Sequence, residues 1–466
     1  MALIDSLRDA VGEAHVFTDG DLSAWERDWR KRWRGKALAV VRPGNTAEVA
    51  AVVRTCAAQG TALVPQGGNM GLVGGGVPDA SGTQVLLSLT RLNRIRELDR
   101  ANLTLTVEAG CMLQTVQQSA DDAGLLFPLS LAAEGSCTIG GNLATNAGGT
   151  QVLRYGNARA LCLGLEVVTA TGDVWHGLSG LRKDNTGYDL RDLFIGSEGT
   201  LGVITAATLA LHAKPAATMT AMASCATLAD CVTLLGVAQQ QLGAGLTGFE
   251  AMNAFSLSLV ARHMPQLRQP LPAAPWTVLL ELSDSEGEAH ARERFEGVLG
   301  QALERGTIGD AAIAESVAQS HTMWHLRESI PLAQAEEGLN IKHDIALPVS
   351  RIPAFCEATQ TALERAVAGV RLVNFGHLGD GNLHYNVQAP VGVDAAVFLA
   401  EREHEINNIV YAAVAAHGGS ISAEHGIGVL KRNELVQYKD AAALSLMRAV
   451  KSALDPRGLM NPGRVL

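Results

Sequence analysis

Apolar residues run along this chain in two rhythms, short dense runs and longer helical stretches, and their order divides it into three parts. Residues 1–36 read as helical turns that end in the mixed-charge, Trp-containing stretch 25–33. Residues 37–41 (Ala-Leu-Ala-Val-Val) then predict a strand, Arg42-Pro43-Gly44 a turn, and Asn45-Thr46-Ala47-Glu48 a helix start of capping-box type. That helix runs over 49–58 and stops at Gly60, and a second strand at 62–65 leads into a glycine-rich loop. Short β-rich runs at 85–89, 103–109, 163–169 and 201–205 alternate with helices and glycine turns, which predicts an α+β domain over 1–212. Beyond Pro215 the pattern changes. Strands at 218–224, 246–252 and 276–282 alternate with helices at 228–242, 254–263 and 286–305, as an antiparallel-sheet α+β domain over 213–420 would. A helix at 395–417 leads to a small helical C-terminal segment, 421–466.

Within the second domain, residues 374–387 carry the densest polar chemistry. Two extended runs flank Asp380-Gly381, the preferred dipeptide of a type I′ hairpin turn. With those two residues central, His377 falls opposite His384, with Cβ atoms roughly 4.5–5.5 Å apart. Two imidazoles at that separation can chelate one metal ion, and Asn386 points the same way. The bland alternative is a hairpin with two solvated histidines.

Composition narrows the options. The 466 residues give room for roughly three domains' worth of core, and 47% hydrophobic with 18% charged residues describes an ordinary globular chain. A formal charge of −10 argues against nucleic acid or an anionic membrane as the main partner, so an anionic substrate needs a local basic pocket. The N-terminal stretch reads as neither signal peptide nor membrane span, and seven scattered cysteines without a C-x-x-C fit a reducing, cytoplasmic compartment.

Two glycine clusters stand in the first domain, at 67–76 and 135–149. Glycine lets backbone N–H groups converge on a phosphate and lets the chain approach a ligand closely. Neither cluster has the G-x-G-x-x-G spacing of a Rossmann turn, and no Walker A sequence occurs. These clusters, together with Leu181-Arg182-Lys183-Asp184-Asn185-Thr186-Gly187-Tyr188-Asp189-Leu190 and its continuation to Gly202, resemble the FAD-binding half of the vanillyl-alcohol-oxidase-type flavoproteins. The hairpin and Ser422-Ala423-Glu424-His425-Gly426-Ile427-Gly428 are similar to the C-terminal half of the branch containing D-2-hydroxyglutarate dehydrogenase, D-lactate dehydrogenase and the glycolate oxidase flavin subunit.

The resemblance implies a two-subdomain FAD-binding domain, a substrate domain, and a C-terminal segment that returns to the flavin. It places FAD against Pro65, Gln66, Gly67, Gly68, Asn69, Met70, Gly71, Gly135, Ser136, Gly140, Gly141, Asn142, Thr145, Asn146, Gly148, Gly149, Ser197, Glu198, Gly199, Gly202, Val203, Ile204 and Asn461. No histidine stands at 69–70, so the flavin is expected to be noncovalent. Met70, Ser130 and Pro331 depart from the pattern, which has a small hydroxyl, an acid and a hydroxyl respectively at those points.

The chemistry implied is oxidation of a D-2-hydroxy acid, with hydride passing to flavin N5 while a base removes the hydroxyl proton and a metal on that hydroxyl lowers its pKa. His377, His384 and Glu424 supply two nitrogens and an oxygen, a set that suits Zn2+ or Mn2+, and His425 is the natural base. Arg327 and Lys342 match substrate-carboxylate positions, and Asn386 and His425 further substrate contacts. Electrons are expected to leave to an outside partner such as an electron-transfer flavoprotein, and the chain is expected to form a homodimer.

Overall fold

The helix Thr46–Gln59 is the piece on which the first part of the molecule is layered. Its start is fixed by Asn45, whose side chain accepts the Glu48 N–H at 2.9 Å, and its end by Gly60 in the left-handed conformation. The expected capping box is modified: the Glu48 carboxylate takes the Gly44 N–H at 2.7 Å and the Asn45 side-chain amide at 2.7 Å. The computed structural model describes residues 2–466.

Two sheets cover this helix. One has the strand order Val16–Phe17, Ala37–Val41, Gln84–Ser88, Leu63–Gln66, with its last three strands parallel. The other is antiparallel: Ile95–Asp99, Thr104–Glu108, Gly202–Ala210, Cys162–Thr169, Val174–Gly177. Val49, Val52, Val53 and Cys56 of the helix are buried in one cluster with Val85 and Leu87 of the first sheet and Val168 and Val203 of the second. Strand Gly202–Ala210 is buried at every position and runs five residues beyond the 201–205 expected from sequence. Alanine is a poor strand former, but the central place of Ala206 and Ala207, with ladder partners on both sides, overrides local preference.

Chain contacts divide the molecule into two units, and the first is discontinuous: it holds residues up to Gly148, Gly156–Lys214 and Glu424–Leu466. The last stretch is stitched into the first sheet's neighbourhood, where the Leu63 N–H donates to Leu459 O and the Asn461 N–H donates to Leu63 O. The second unit holds Gly149–Tyr155 and Pro215–Ala423. Its antiparallel sheet has the order Asp310–Ile313, Ala217–Cys225, Trp276–Asp284, Leu246–Asn253, Arg371–Gly376, Asn382–Gln388, Asn340–Ile341, with Asp344–Ala346 also pairing to Asn382–Gln388. Met222, Met252, Leu279, Val373 and Phe375 from this sheet pack against Leu257, Val260, Leu326 and Ile330 from helices. Among the described residues no helix is long and apolar enough to cross a membrane.

Candidate active site

In the first unit, the two glycine clusters line one cleft, and they meet backbone to backbone. A Cβ on Gly67 would collide with Thr138 Oγ1, one on Gly68 with the Ser136 carbonyl, and one on Gly140 would lie 2.7 Å from Ala109 Cβ. Side chains are excluded so that the chain itself forms the wall. The cleft is lined by Pro65, Gln66, Gly67, Gly68, Asn69, Met70, Gly71, Gly140, Gly141, Asn142, Thr145, Gly148, Ser197, Glu198, Gly199, Gly202, Val203 and Ile204. Thr138 and Asp28 line it too, although neither was singled out from sequence. Thr138 Oγ1, Asn142 Nδ2 and Asp28 Oδ2 are buried without a hydrogen-bond partner. A buried orphan hydroxyl, amide and carboxylate oxygen on a glycine wall suit a ligand that carries phosphates and hydroxyls, as FAD does.

Other expected cofactor residues act from behind the wall. Asn146 accepts the Arg159 N–H at 3.0 Å, and Gly135 lies against the side chain of Gln114. Ser136 lines a depression with Trp25, Thr90 and Asn93 that adjoins the cleft across Gln66, Gly67, Gly68, Asn69 and Thr138, and Gly149 falls in the second unit. Asn461 donates to Gly75 O at 3.0 Å and to Glu198 O at 2.7 Å, so it braces the loops. Met70 lines the cleft, whereas Ser130 donates to Glu134 at 2.7 Å outside it.

Glu198 has φ 52°, a strained backbone for a residue other than glycine. Its carboxylate accepts the N–H groups of Ile427 at 2.7 Å and Gly428 at 2.8 Å. Burial pushes this carboxyl above its usual range against the pull of those two donors. The turn it holds begins at Gly426, with φ 79°, where any Cβ would lie 2.6 Å from Glu198 Oε1. Through that anchored turn Glu424 and His425 come to line the cleft, with Glu424 Oε1 2.7 Å from the place of a Gly148 Cβ.

In the second unit the hairpin departs from the expected register. Phe375, not His377, pairs with His384, because 377–381 form a longer loop in which Gly381 N and Asn382 N both reach His377 O. Asp380 Oδ1 accepts the Asn382 N–H at 3.1 Å, and Gly376 at φ 148° lets the chain turn out of the ladder where a Cβ would meet Asn382 O at 2.8 Å. The two imidazoles still meet, with ring centroids 5.6 Å apart and a ring nitrogen of each within 4.8 Å of the other. Glu250, central in the buried strand Leu246–Asn253, holds the first of them: its Oε1 accepts from His377 Nδ1 at 2.6 Å. Its Oε2 accepts from Arg327 Nε at 2.7 Å. Burial opposes ionisation of Glu250, yet Arg327 and His377 together hold its pKa at about 2. Sequence reading missed Glu250; a lone charge in an otherwise uncharged strand was the available signal, since a buried carboxylate needs a partner.

Arg327 is buried, lies with its guanidinium 5.0 Å from the Phe375 ring centre, and keeps Nη2 without a protein partner. Lys342 stands between Asn340–Ile341 and Asp344–Ala346 and is part-exposed. Asn386 is held by its neighbours. Its amide donates to Gln334 Oε1 at 2.9 Å and its oxygen accepts the His343 N–H at 3.2 Å, so it is largely engaged by protein. Pro331 occupies the first turn of Ile330–Glu336, where its missing N–H costs no helical bond.

Comparison with known proteins agrees with this picture. Residues 37–177 match the family described as FAD binding domain, and residues 214–465 match FAD linked oxidases, C-terminal domain. p-Cresol methylhydroxylase with substrate bound has a similar fold, at TM-score 0.78 and 16% identity over 99% of this chain and 96% of that one. The two family matches thus define an FAD-binding oxidoreductase, with a fold like that of p-cresol methylhydroxylase. The chain is 38% identical to mitochondrial D-2-hydroxyglutarate dehydrogenase of Arabidopsis thaliana over 99% of its length and 81% of the relative's. It is 40% identical to D-2-hydroxyglutarate dehydrogenase of Xanthomonas citri pv. viticola over 99% and 96%. The chain belongs to the FAD-linked oxidase family, in the group that holds these dehydrogenases.

Proposed function

We propose that the protein oxidises D-2-hydroxyglutarate to 2-oxoglutarate with the help of a divalent metal ion. The observation that carries the substrate choice is Arg327, a buried guanidinium with one unpartnered Nη2, on the same unit as Lys342 and the two-histidine loop. A dicarboxylate needs two cations, and a buried fork discriminates by leaving its donors unpaired when the partner is missing. The names of the relatives support the same choice.

His377, His384 and Glu424 would hold Zn2+ or Mn2+. FAD, when bound, supplies the two-electron acceptor, and the metal, when bound, supplies a Lewis acid for the substrate hydroxyl. His425 takes the hydroxyl proton, while Arg327 and Lys342 fix the carboxylates. The Glu250 contact at His377 Nδ1 fits metal binding, because metal-ligating histidines commonly give their other ring N–H to a carboxylate. All seven thiols are buried and free, which fits a chain that passes its electrons to an external acceptor such as an electron-transfer flavoprotein. The same thiols suit a reducing compartment such as the cytoplasm.

A shorter D-2-hydroxy acid is the alternative, favoured by Pro331 at a point where a hydroxyl would serve a distal carboxylate. Anaerobic mixing separates the two. D-2-hydroxyglutarate should bleach the flavin at millimolar concentration, and Arg327→Ala and Lys342→Ala should each raise KM by about 10–100-fold, in line with loss of a charged contact. No bleaching by D-2-hydroxyglutarate where D-lactate or D-malate does bleach would overturn the substrate.

A further inference from the structure

We infer that Glu250 is a positioning residue that sets the imidazole of His377 and the guanidinium of Arg327 together, an inference that rests on the metal and substrate roles proposed above. Its two oxygens are divided between two donors, Oε1 to His377 Nδ1 at 2.6 Å and Oε2 to Arg327 Nε at 2.7 Å. Glu250 is wholly buried, and both partners are nearly so, so no water competes for these bonds.

Each bond fixes something the partner's role needs. With Nδ1–H donating, His377 is held in the tautomer whose Nε2 carries the lone pair, and its ring plane is set. With Nε committed and the guanidinium resting on Phe375 at 5.0 Å, Arg327 keeps its plane, and the buried Nη2 is the donor left for an acceptor from outside the protein. Glutamate suits this place for a countable reason: both neighbours are donors, a carboxylate has two acceptor oxygens, and an amide has only one. Glutamine at 250 can satisfy either His377 or Arg327 but must turn its own N–H groups toward the other. The competing reading is a core ion pair that stabilises the fold and does nothing else. That reading moves melting temperature alone.

The test uses the FAD-loaded protein, with Zn2+ affinity from chelator competition and KM for D-2-hydroxyglutarate measured on the same samples. Glu250→Gln should keep stoichiometric flavin, weaken Zn2+ binding by about 10–100-fold, as outer partners of metal-ligating histidines do, and raise KM. Glu250→Asp keeps both acceptors and should recover much of the Zn2+ affinity. If Glu250→Gln does not accumulate folded, Arg327→Met is compared with the Glu250→Leu/Arg327→Met double variant, which removes the buried charges together. Arg327→Met should retain Zn2+ affinity and the double variant should lose it by the same 10–100-fold. Folded Glu250 variants with wild-type Zn2+ affinity and wild-type KM overturn the inference. A different failure marks the metal reading: wild-type protein that takes up no Zn2+ removable by His384→Ala loses both.

Discussion

The glycine cleft and the histidine loop are built on opposite principles. In the cleft, Gly67, Gly68 and Gly140 work by what they lack, since the wall is backbone and any added carbon meets another piece of the chain. In the loop, His377, Arg327 and Glu250 work by what they carry, three buried side chains that satisfy one another. The lesson concerns tolerance: a backbone wall fails by steric intrusion, whereas a charge network fails by unpaired groups left behind.

The largest effect should come from intrusion. Gly68→Val drives a side chain into the Ser136 carbonyl and should yield protein without flavin absorbance, while the second unit keeps its fold. Retention of full flavin in that variant would break the comparison. Next, exhaustive chelation should abolish turnover and leave FAD bound, with Zn2+ restoring activity; full activity in verified metal-free protein would remove the role given to the loop.

Acid sharpens the contrast from the side of charge. Glu337 is held at about 2 despite the opposing effect of its burial, because His263, Arg371 and Arg262 donate to it, and Arg371 begins the first hairpin strand. A folded pKa below the unfolded value gives stability that is present above the ordinary carboxylate range and lost as pH falls toward 2. Thermal melts should show Glu337→Gln less stable by on the order of 1–2 kcal/mol at pH 7, after allowance for solvent screening, with the difference closing between pH 5 and 2. The smallest effect is the control for glycine itself. Gly236 lies exposed within Leu228–Leu242 with nothing within 4 Å of where a Cβ would stand, so Gly236→Ala should raise stability by about 0.5–1 kcal/mol and leave flavin binding alone.

The same contrast explains what the sequence revealed. Helices Leu228–Leu242 and Ala254–His263 agree with the pattern to the residue, since Thr227 and Asn253 cap them locally. The glycine wall was legible because glycine clusters are visible without knowing their partners. The hairpin register was not, because two residues of Asp-Gly cannot announce that Gly376 leaves the ladder and that Asp380 closes a five-residue loop. Glu250 stands 127 residues from His377 and 77 from Arg327, a distance over which local pattern carries no information. Asn386 was legible as inward-facing, but Gln334, which takes its amide, lies on a helix 52 residues earlier.

The discontinuous first unit has a consequence for how the chain is made. Its cleft needs Glu198 to hold the 426–428 turn and Asn461 to brace Gly75 and Glu198, contacts that span from 229 to 386 residues of sequence. During synthesis the second unit, continuous apart from the Gly149–Tyr155 excursion, has all its residues before Glu424 is added. The glycine loops then meet the residues that brace them only once 424–466 have been made, so a stop before Glu424 would take from the cleft both the anchored turn and the Asn461 brace.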